Sequence, residues 1–300
     1  MTAPGLANWL RVIALSIIWG GAFVNTRLAL ADFPPLTIAG LRIALAAAAV
    51  WALMRVMGQR LPTNPRVWAF AAAMGVFSNA LPFSLLAWAQ QHVASGFAGI
   101  TMATVPLFTL LLAVRFVPGE VLTPARLVGV ALGLTGVVLL IGPQALLTRS
   151  GADHEMLARI ACVATTLAYA IGSITTRRCP PTPLVSLSAA SLIMATLVMI
   201  PLVLAVDGVP DVGGARASSL AGLIYLGLMP TALATVLMVA VIQQAGPTFL
   251  TMSNYQVPIW SVIFGALIFG ERLPASFFIA LGLILAGLAV SNLRRRTRPV

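Results

Sequence analysis

Ten apolar stretches, each long enough to cross a lipid bilayer, follow one another along this chain with only short polar breaks between them. They lie at roughly 9–30, 35–56, 67–89, 94–116, 124–142, 156–177, 183–206, 217–242, 246–269 and 274–293. Crossing the hydrocarbon takes about 20 helical residues. Lipid offers no partner to a free amide or carbonyl, so each stretch must pair its backbone within itself and is predicted to be a helix. Breaks such as "MGQRLPTNPR" (57–66) and "QALLTRSGADHE" (144–155) concentrate proline, arginine and other polar residues. A water-soluble alternative fails on charge: 8% of residues are charged and 60% hydrophobic, where a soluble domain carries about 25% charged residues. The expected class is an all-α integral membrane protein, with the lipid bilayer as its main surroundings.

The net charge of +11 comes wholly from arginine, since the chain has no lysine. In a soluble protein such a charge would suggest nucleic acid. Here the arginines sit between apolar runs, so they report topology and no nucleic-acid partner is expected. With the N-terminus in the cytoplasm, twelve arginines fall inside (Arg11, Arg55, Arg60, Arg66, Arg115, Arg126, Arg177, Arg178, Arg294, Arg295, Arg296, Arg298). Five fall outside (Arg27, Arg149, Arg159, Arg216, Arg272). That bias predicts a multi-pass protein of a bacterial inner membrane with both termini cytoplasmic. Arg42 alone stands well within a span.

The two halves of the chain repeat each other. "WGGAFVNTR" (19–27) aligns with "YAIGSITTR" (169–177), "GVFSNAL" (75–81) with "GLMPTAL" (227–233), and "TVP" (104–106) with "QVP" (256–258). Gly119-Glu120 matches Gly270-Glu271, and "ALGL" recurs at 131–134 and 280–283. The units are expected at 1–143 and 156–300, joined by a linker at 144–155. Five spans per unit is an odd number, so the second unit enters the membrane from the opposite face. Inverted repeats of this kind recur in secondary transporters, where swapping the conformations of two similar halves turns an outward-open cavity inward.

Two tandem five-helix units, each with a proline in the fourth helix, then Gly-Glu, then a glycine-rich fifth helix, resemble the EamA family of the drug/metabolite transporter superfamily. The "WGGAF" of the first span and Pro34, Pro35, Leu41 and Arg42 of the second fit the family's first unit. The second unit departs from it, with Ala190 near the place of the arginine. The resemblance covers about 10–292 and implies a ten-helix basket around a central cavity, with metabolite export as the common activity. Within the family the chain is most similar to amino-acid exporters of the YddG type.

A solute path needs a face unlike lipid. In the fourth span Phe97, Thr101, Thr104 and Phe108 fall on one narrow stripe at helical spacing, and the ninth span places Phe249, Ser253, Gln256 and Trp260 likewise. These stripes suit two cavity walls, or else helix packing with the hydroxyls bonded to their own backbone. The third span offers Asn79, Phe83 and Gln90, with Thr231 and Thr235 as partners of the first two in the eighth. Asn79 serves either a solute or a helix–helix bridge. Trp19 and Tyr169 correspond by repeat and lie deep in their helices, as lining or as belt aromatics. Pro106 and Pro258 are symmetric and are candidate hinges or static kinks. Arg42 is a candidate contact for a substrate carboxylate, or snorkels outward. Glu120 and Glu271 precede the fifth and tenth spans, where a carboxylate suits the positive helix end. The glycines of the fifth span, Gly129, Gly133 and Gly136, permit a close helix contact, within the protomer or between subunits.

No carboxylate falls at mid-membrane and no Walker sequence is present. The expected activity is therefore uniport or exchange of small neutral or zwitterionic metabolites, amino acids including aromatic ones. Export of cationic drugs is the alternative within transport, but it would favour a buried carboxylate. An intramembrane enzyme is the alternative from another class. It needs converging Ser, His and Asp groups, which no span supplies. No catalytic residue, cofactor or metal ligand set is expected, because His92, His154 and the two cysteines have no metal-site spacing. The oligomeric state is open, a monomer included.

Overall fold

The computed structural model describes residues 5–117, 121–142 and 153–291. These form ten helical passages and, among the described residues, no strand. They are α1 (Leu6–Ala29), α2 (Pro35–Val56), α3 (Pro65–Ala89), α4 (Ser95–Phe116) and α5 (Pro124–Ile141). The second half supplies α6 (Asp153–Arg178), α7 (Leu184–Val206), α8 (Ala217–Ala245), α9 (Ser253–Phe269) and α10 (Ala275–Ser291). Eight are long and apolar enough to span a bilayer. The other two, α9 and α10, have 17 residues each, at the short end of spanning lengths (~17–25). Large apolar side chains point outward, among them Leu197, Leu267 and Ile279, each more than half exposed, which suits lipid rather than water.

Local chemistry sets the helix ends. Pro35, Pro65 and Pro124 start their helices, where a fixed φ is an advantage and no N–H is missed. Asn64 and Thr123 accept from the backbone N–H of Arg66 and Arg126 and cap α3 and α5. Gly270 ends α9 at φ +64°, a conformation that favours glycine. Two boundaries differ from expectation. The sixth helix starts at Asp153, and the ninth stretch divides into a short turn, Pro247–Leu250, and α9 proper.

The halves interlock across a two-fold pseudosymmetry. The most extensive pairings all join one half to the other: α5 with α10, α2 with α7, α1 with α8 and α9, and α6 with α3 and α4. Exchanging the halves maps this set onto itself, as an inverted repeat requires. The glycines of α5 belong to an internal contact. A Cβ on Gly129 would strike the carbonyl oxygen of Gly287 in α10, and the converse also holds.

The repeat extends to helical irregularity. Wide π turns occur at Gly75–Ala80 in α3 and Leu228–Leu233 in α8, on the matched heptapeptides. Such turns are rare and concentrate at functional sites. In α4 the segment Met102–Thr104 tightens to a 3₁₀ turn just before Pro106, whereas α9 carries Pro258 inside a continuous helix.

Glu271 corrects an expectation. It caps α4 rather than the helix that follows it, its carboxylate accepting from Ser95 N and Gly96 N at 2.9 Å each. The left-handed turn at Gly270 redirects the chain, and the bare Gly96 and Gly265 leave room for the carboxylate. Glu120, its counterpart, lies outside the described residues, as do Arg149, the tail arginines and most of the 144–155 linker.

Candidate functional site

A cavity of about 550 Å³ lies at the interface of the halves, bounded by α1–α4 and α6–α9. The two π turns contribute directly to it. Asn79, in the turn of α3, lines the cavity and donates through Nδ2 to Ser191 Oγ of α7 at 3.1 Å. Thr231, in the turn of α8, lines the opposite side, and Thr235 donates to its carbonyl at 2.6 Å. A π turn carries one residue more than an α turn, so these carbonyls and side chains leave the regular ladder. Pro230 O, in the same turn, accepts from Trp19 Nε1 at 3.1 Å and holds that indole on the wall. Tyr169, the repeat partner of Trp19, lines the cavity from α6.

The remaining surface is largely apolar, with serine hydroxyls from α3, α6 and α7 (Ser78, Ser173, Ser188, Ser191). Sequence reasoning did not single out these serines, since a lone serine in a span carries no periodic signal. Asn254 of α9 also lines the cavity. Gln90, at the end of α3, is 4% exposed and donates to Phe23 O at 2.8 Å, while its Oε1 has no partner among the described residues.

Arg42 is the one charged residue on the described cavity wall. It is 8% exposed, its guanidinium lies 3.6 Å over the Phe83 ring, and its Nε has no hydrogen-bond partner among the described residues.

The stripes of α4 and α9 fall beside the cavity rather than on its lining. Thr101 and Thr104 are fully buried; their hydroxyls donate to Phe97 O at 2.9 Å and Thr101 O at 2.8 Å. Thr104 also meets Thr166 Oγ1 of α6 at 2.9 Å. Ser253 donates to Leu250 O at 2.8 Å, and Trp260 stacks on Phe264 with its Cβ against Gly20. Phe108 and Gln256 are half-buried outside the lining, as is Pro106, and Pro258 is buried within α9. The adjoining faces line instead: Met102 and Val105 from α4, Asn254 and Val257 from α9.

One face of the bundle is tied across the halves by charge. Arg27 at the end of α1 pairs with Glu271, which also caps α4. Asp32, between α1 and α2, takes a forked contact from Arg216 at the start of α8 (2.8–3.0 Å). That guanidinium, with help from Ser219, holds the Asp32 carboxyl far below the usual carboxylate range. Asp207, after α7, accepts from Thr37 N (3.0 Å) and Thr37 Oγ1 (2.8 Å) in α2. The opposite face is tied by Arg11 to Gln244 at 2.6 Å and by Ser186 to Gln59 at 2.9 Å, each with a neutral amide. His92 and His154, distant in sequence, meet on the charged face with ring centroids 5.4 Å apart.

Residues 9–142 and 155–293 each match the EamA-like transporter family. The chain is 28% identical to "Uncharacterized inner membrane transporter YedA" of Escherichia coli K12, over 96% of this chain and 91% of that one. It is 26% identical to a "Probable terminal-alkyne amino-acid exporter" of Streptantibioticus cattleyicolor (96% and 94%). It is 20% identical to "Uncharacterized transporter YoaV" of Bacillus subtilis (97% and 98%). A solved crystal structure superposes with a TM-score of 0.65 over 95% of this chain and 96% of its own, at 21% identity, and shows a shared fold. With a cavity between interlocked halves and both halves matching, the protein is a multi-pass membrane transporter, and it belongs to the EamA-like transporter family.

Proposed function

We propose that the protein exports small metabolites, amino acids including aromatic ones, by alternating access, as a uniporter or exchanger. The observation that carries this reading is the cavity's pairing by repeat: Trp19 with Tyr169, Asn79 with Thr231, and Phe83 with Thr235 all line it. A site assembled from equivalent residues of two inverted units can be exposed to either side when the units exchange conformations. The proposed path runs along these residues and Arg42. Thr101, Thr104, Phe108, Ser253, Gln256 and Trp260 form the layer behind them, which a rocking of α4 and α9 about Pro106 and Pro258 brings forward.

The units are taken as 1–143 and 156–300 with a linker at 144–155, and the arginine bias puts both termini in the cytoplasm. The charged face of Glu271 is then the outer one. Cationic drugs fit this cavity less well, since its described wall carries Arg42 and no carboxylate.

The test is uptake of a radiolabelled amino-acid panel into liposomes holding the purified protein. Saturable flux of at least one amino acid supports the reading, and no flux for any removes the amino-acid assignment. Accumulation above equilibrium under an imposed pH gradient would rule out simple uniport.

A further inference from the structure

Arg42 sits about 10 Å along α2 from its first residue, by helix rise, and lines the cavity with no acidic residue beside it on the described wall. All seven carboxylates of the chain (Asp32, Glu120, Asp153, Glu155, Asp207, Asp211, Glu271) fall between spans or at their ends. A buried cation without a counter-charge is costly, and stacking on one ring returns only part of that cost. The Phe83 ring covers one face of the guanidinium plane, and among the described residues Nε is left without a partner. The site therefore lacks one anionic group, ideally a planar one that meets the guanidinium fork edge-on. The free Gln90 Oε1, also more than nine-tenths buried, adds a neutral acceptor suited to a hydroxyl or amide N–H. It supplies no charge for an ammonium group.

We propose that the cavity's preferred cargo is an organic monoanion, a carboxylate on an aromatic or apolar body, with Arg42 as its counter-charge and the membrane potential as its driving force. This rests on the transport reading above and narrows it from amino acids in general to their anionic relatives. A guanidinium keeps its proton at any physiological pH. No carboxylate in the spans is available to carry a proton with the cargo. Of the two modes proposed above this selects uniport, in which each turnover moves one negative charge. Across a membrane negative inside, that charge runs outward, and 100 mV sustains a gradient of about 50-fold without proton coupling. A zwitterion enters with its ammonium unpaired, and a cation meets Arg42 as a like charge.

The test uses the purified full chain in liposomes with potassium-diffusion potentials and three near-isosteric probes. They are phenyllactate (charge −1), phenylalanine (net zero) and phenylalaninol (+1), each corrected for protein-free vesicles. The expected result is saturable phenyllactate flux at least tenfold above phenylalaninol, with phenylalanine between. Phenyllactate should gather on the positive side, the logarithm of its concentration ratio rising in proportion to the imposed potential. Arg42→Lys keeps that order. Arg42→Gln loses at least tenfold in phenyllactate flux and abolishes the preference, while its elution as a monodisperse species establishes that it is folded.

Phenylalanine or phenylalaninol moving as fast as phenyllactate overturns the monoanion assignment and leaves transport standing. So does a phenyllactate preference unchanged in Arg42→Gln. Phenyllactate flux indifferent to potential overturns the driving force. Movement of none of the three probes, nor of any amino acid in the panel, removes the transport reading and this one with it.

Discussion

Asn79 and Thr101 are both polar residues in mid-span, yet their surroundings differ. Thr101 is fully buried and its hydroxyl returns to Phe97 O one turn back, so valine at this place loses a local bond and nothing on the cavity side. Asn79 reaches the cavity from a π turn, where its amide nitrogen donates to Ser191 Oγ and, at a longer 3.4 Å, to Met74 O. Bonds between membrane helices are worth about 0.6 kcal/mol on average. Asn79→Leu is therefore expected to lower thermal stability by under ~1 kcal/mol while cutting flux tenfold or more. Thr101→Val should show a comparable stability change with most flux retained. Proteoliposome uptake beside a thermal-unfolding assay separates the two, and equal flux losses would show that the α4 stripe also meets the solute.

At the scale of whole helices, the tightest joint is α5 against α10, where Gly129 and Gly287 place backbone on backbone. Any side chain at Gly287 strikes the Gly129 carbonyl, and backbone cannot yield as a side chain can. Gly287→Val is expected to destabilise by about 1–3 kcal/mol, the usual range for forced overpacking. The midpoint of thermal aggregation in detergent should fall, with unchanged oligomer mass below it. A changed mass with an unchanged midpoint would mean that this pair joins subunits instead.

The existence of these helices was legible from apolar run length alone and the likeness of the two halves from the repeat, whereas which helix packs on which emerged only from the fold. The faces were not. Spacing at i, i+4 and i+7 names a stripe but not the neighbour it meets. The 3₁₀ turn at Met102–Thr104 also changes the angular step inside the α4 stripe itself. The matched heptapeptides at 75–81 and 227–233 were visible as repeats, but nothing in their composition announced π turns. Glu271 was recognised as a helix-capping carboxylate, and only the tertiary fold shows that it caps α4.

Over the molecule as a whole, the two faces are tied across the halves by different chemistry, and this bears on how each side gives access to the cavity. The charged face ties α1 to α9 and α4 through Arg27 and Glu271, the α1–α2 connection to α8 through Asp32 and Arg216, and α2 to α7 through Asp207. The sign of the Asp32 contribution follows from its direction. A carboxyl whose folded value is lowered stabilises the fold above its unfolded value, about 3.9, and loses that contribution only as pH falls toward the folded one. Between pH 5 and 8 the Asp32–Arg216 tie should therefore be constant. Glu271 is the more consequential member, because one carboxylate serves both the Arg27 pair and the two free N–H groups of α4. Glu271→Gln keeps the shape but can no longer pair with Arg27 as a charge or face a helix N-terminus as an anion. In a background with Cys162 and Cys179 replaced by serine, a cysteine at Thr26, on the cavity wall near that face, reports opening through a membrane-impermeant maleimide. Labelling from the Glu271 side should rise severalfold in Glu271→Gln, and in the unaltered protein the rates at pH 5.5 and 7.5, each divided by that of a free thiol at the same pH to remove the thiolate dependence, should be equal. Unchanged labelling in the variant would shift the closure of that face onto the Asp32–Arg216 and Asp207–Thr37 ties, which Arg216→Gln then tests by the same readout.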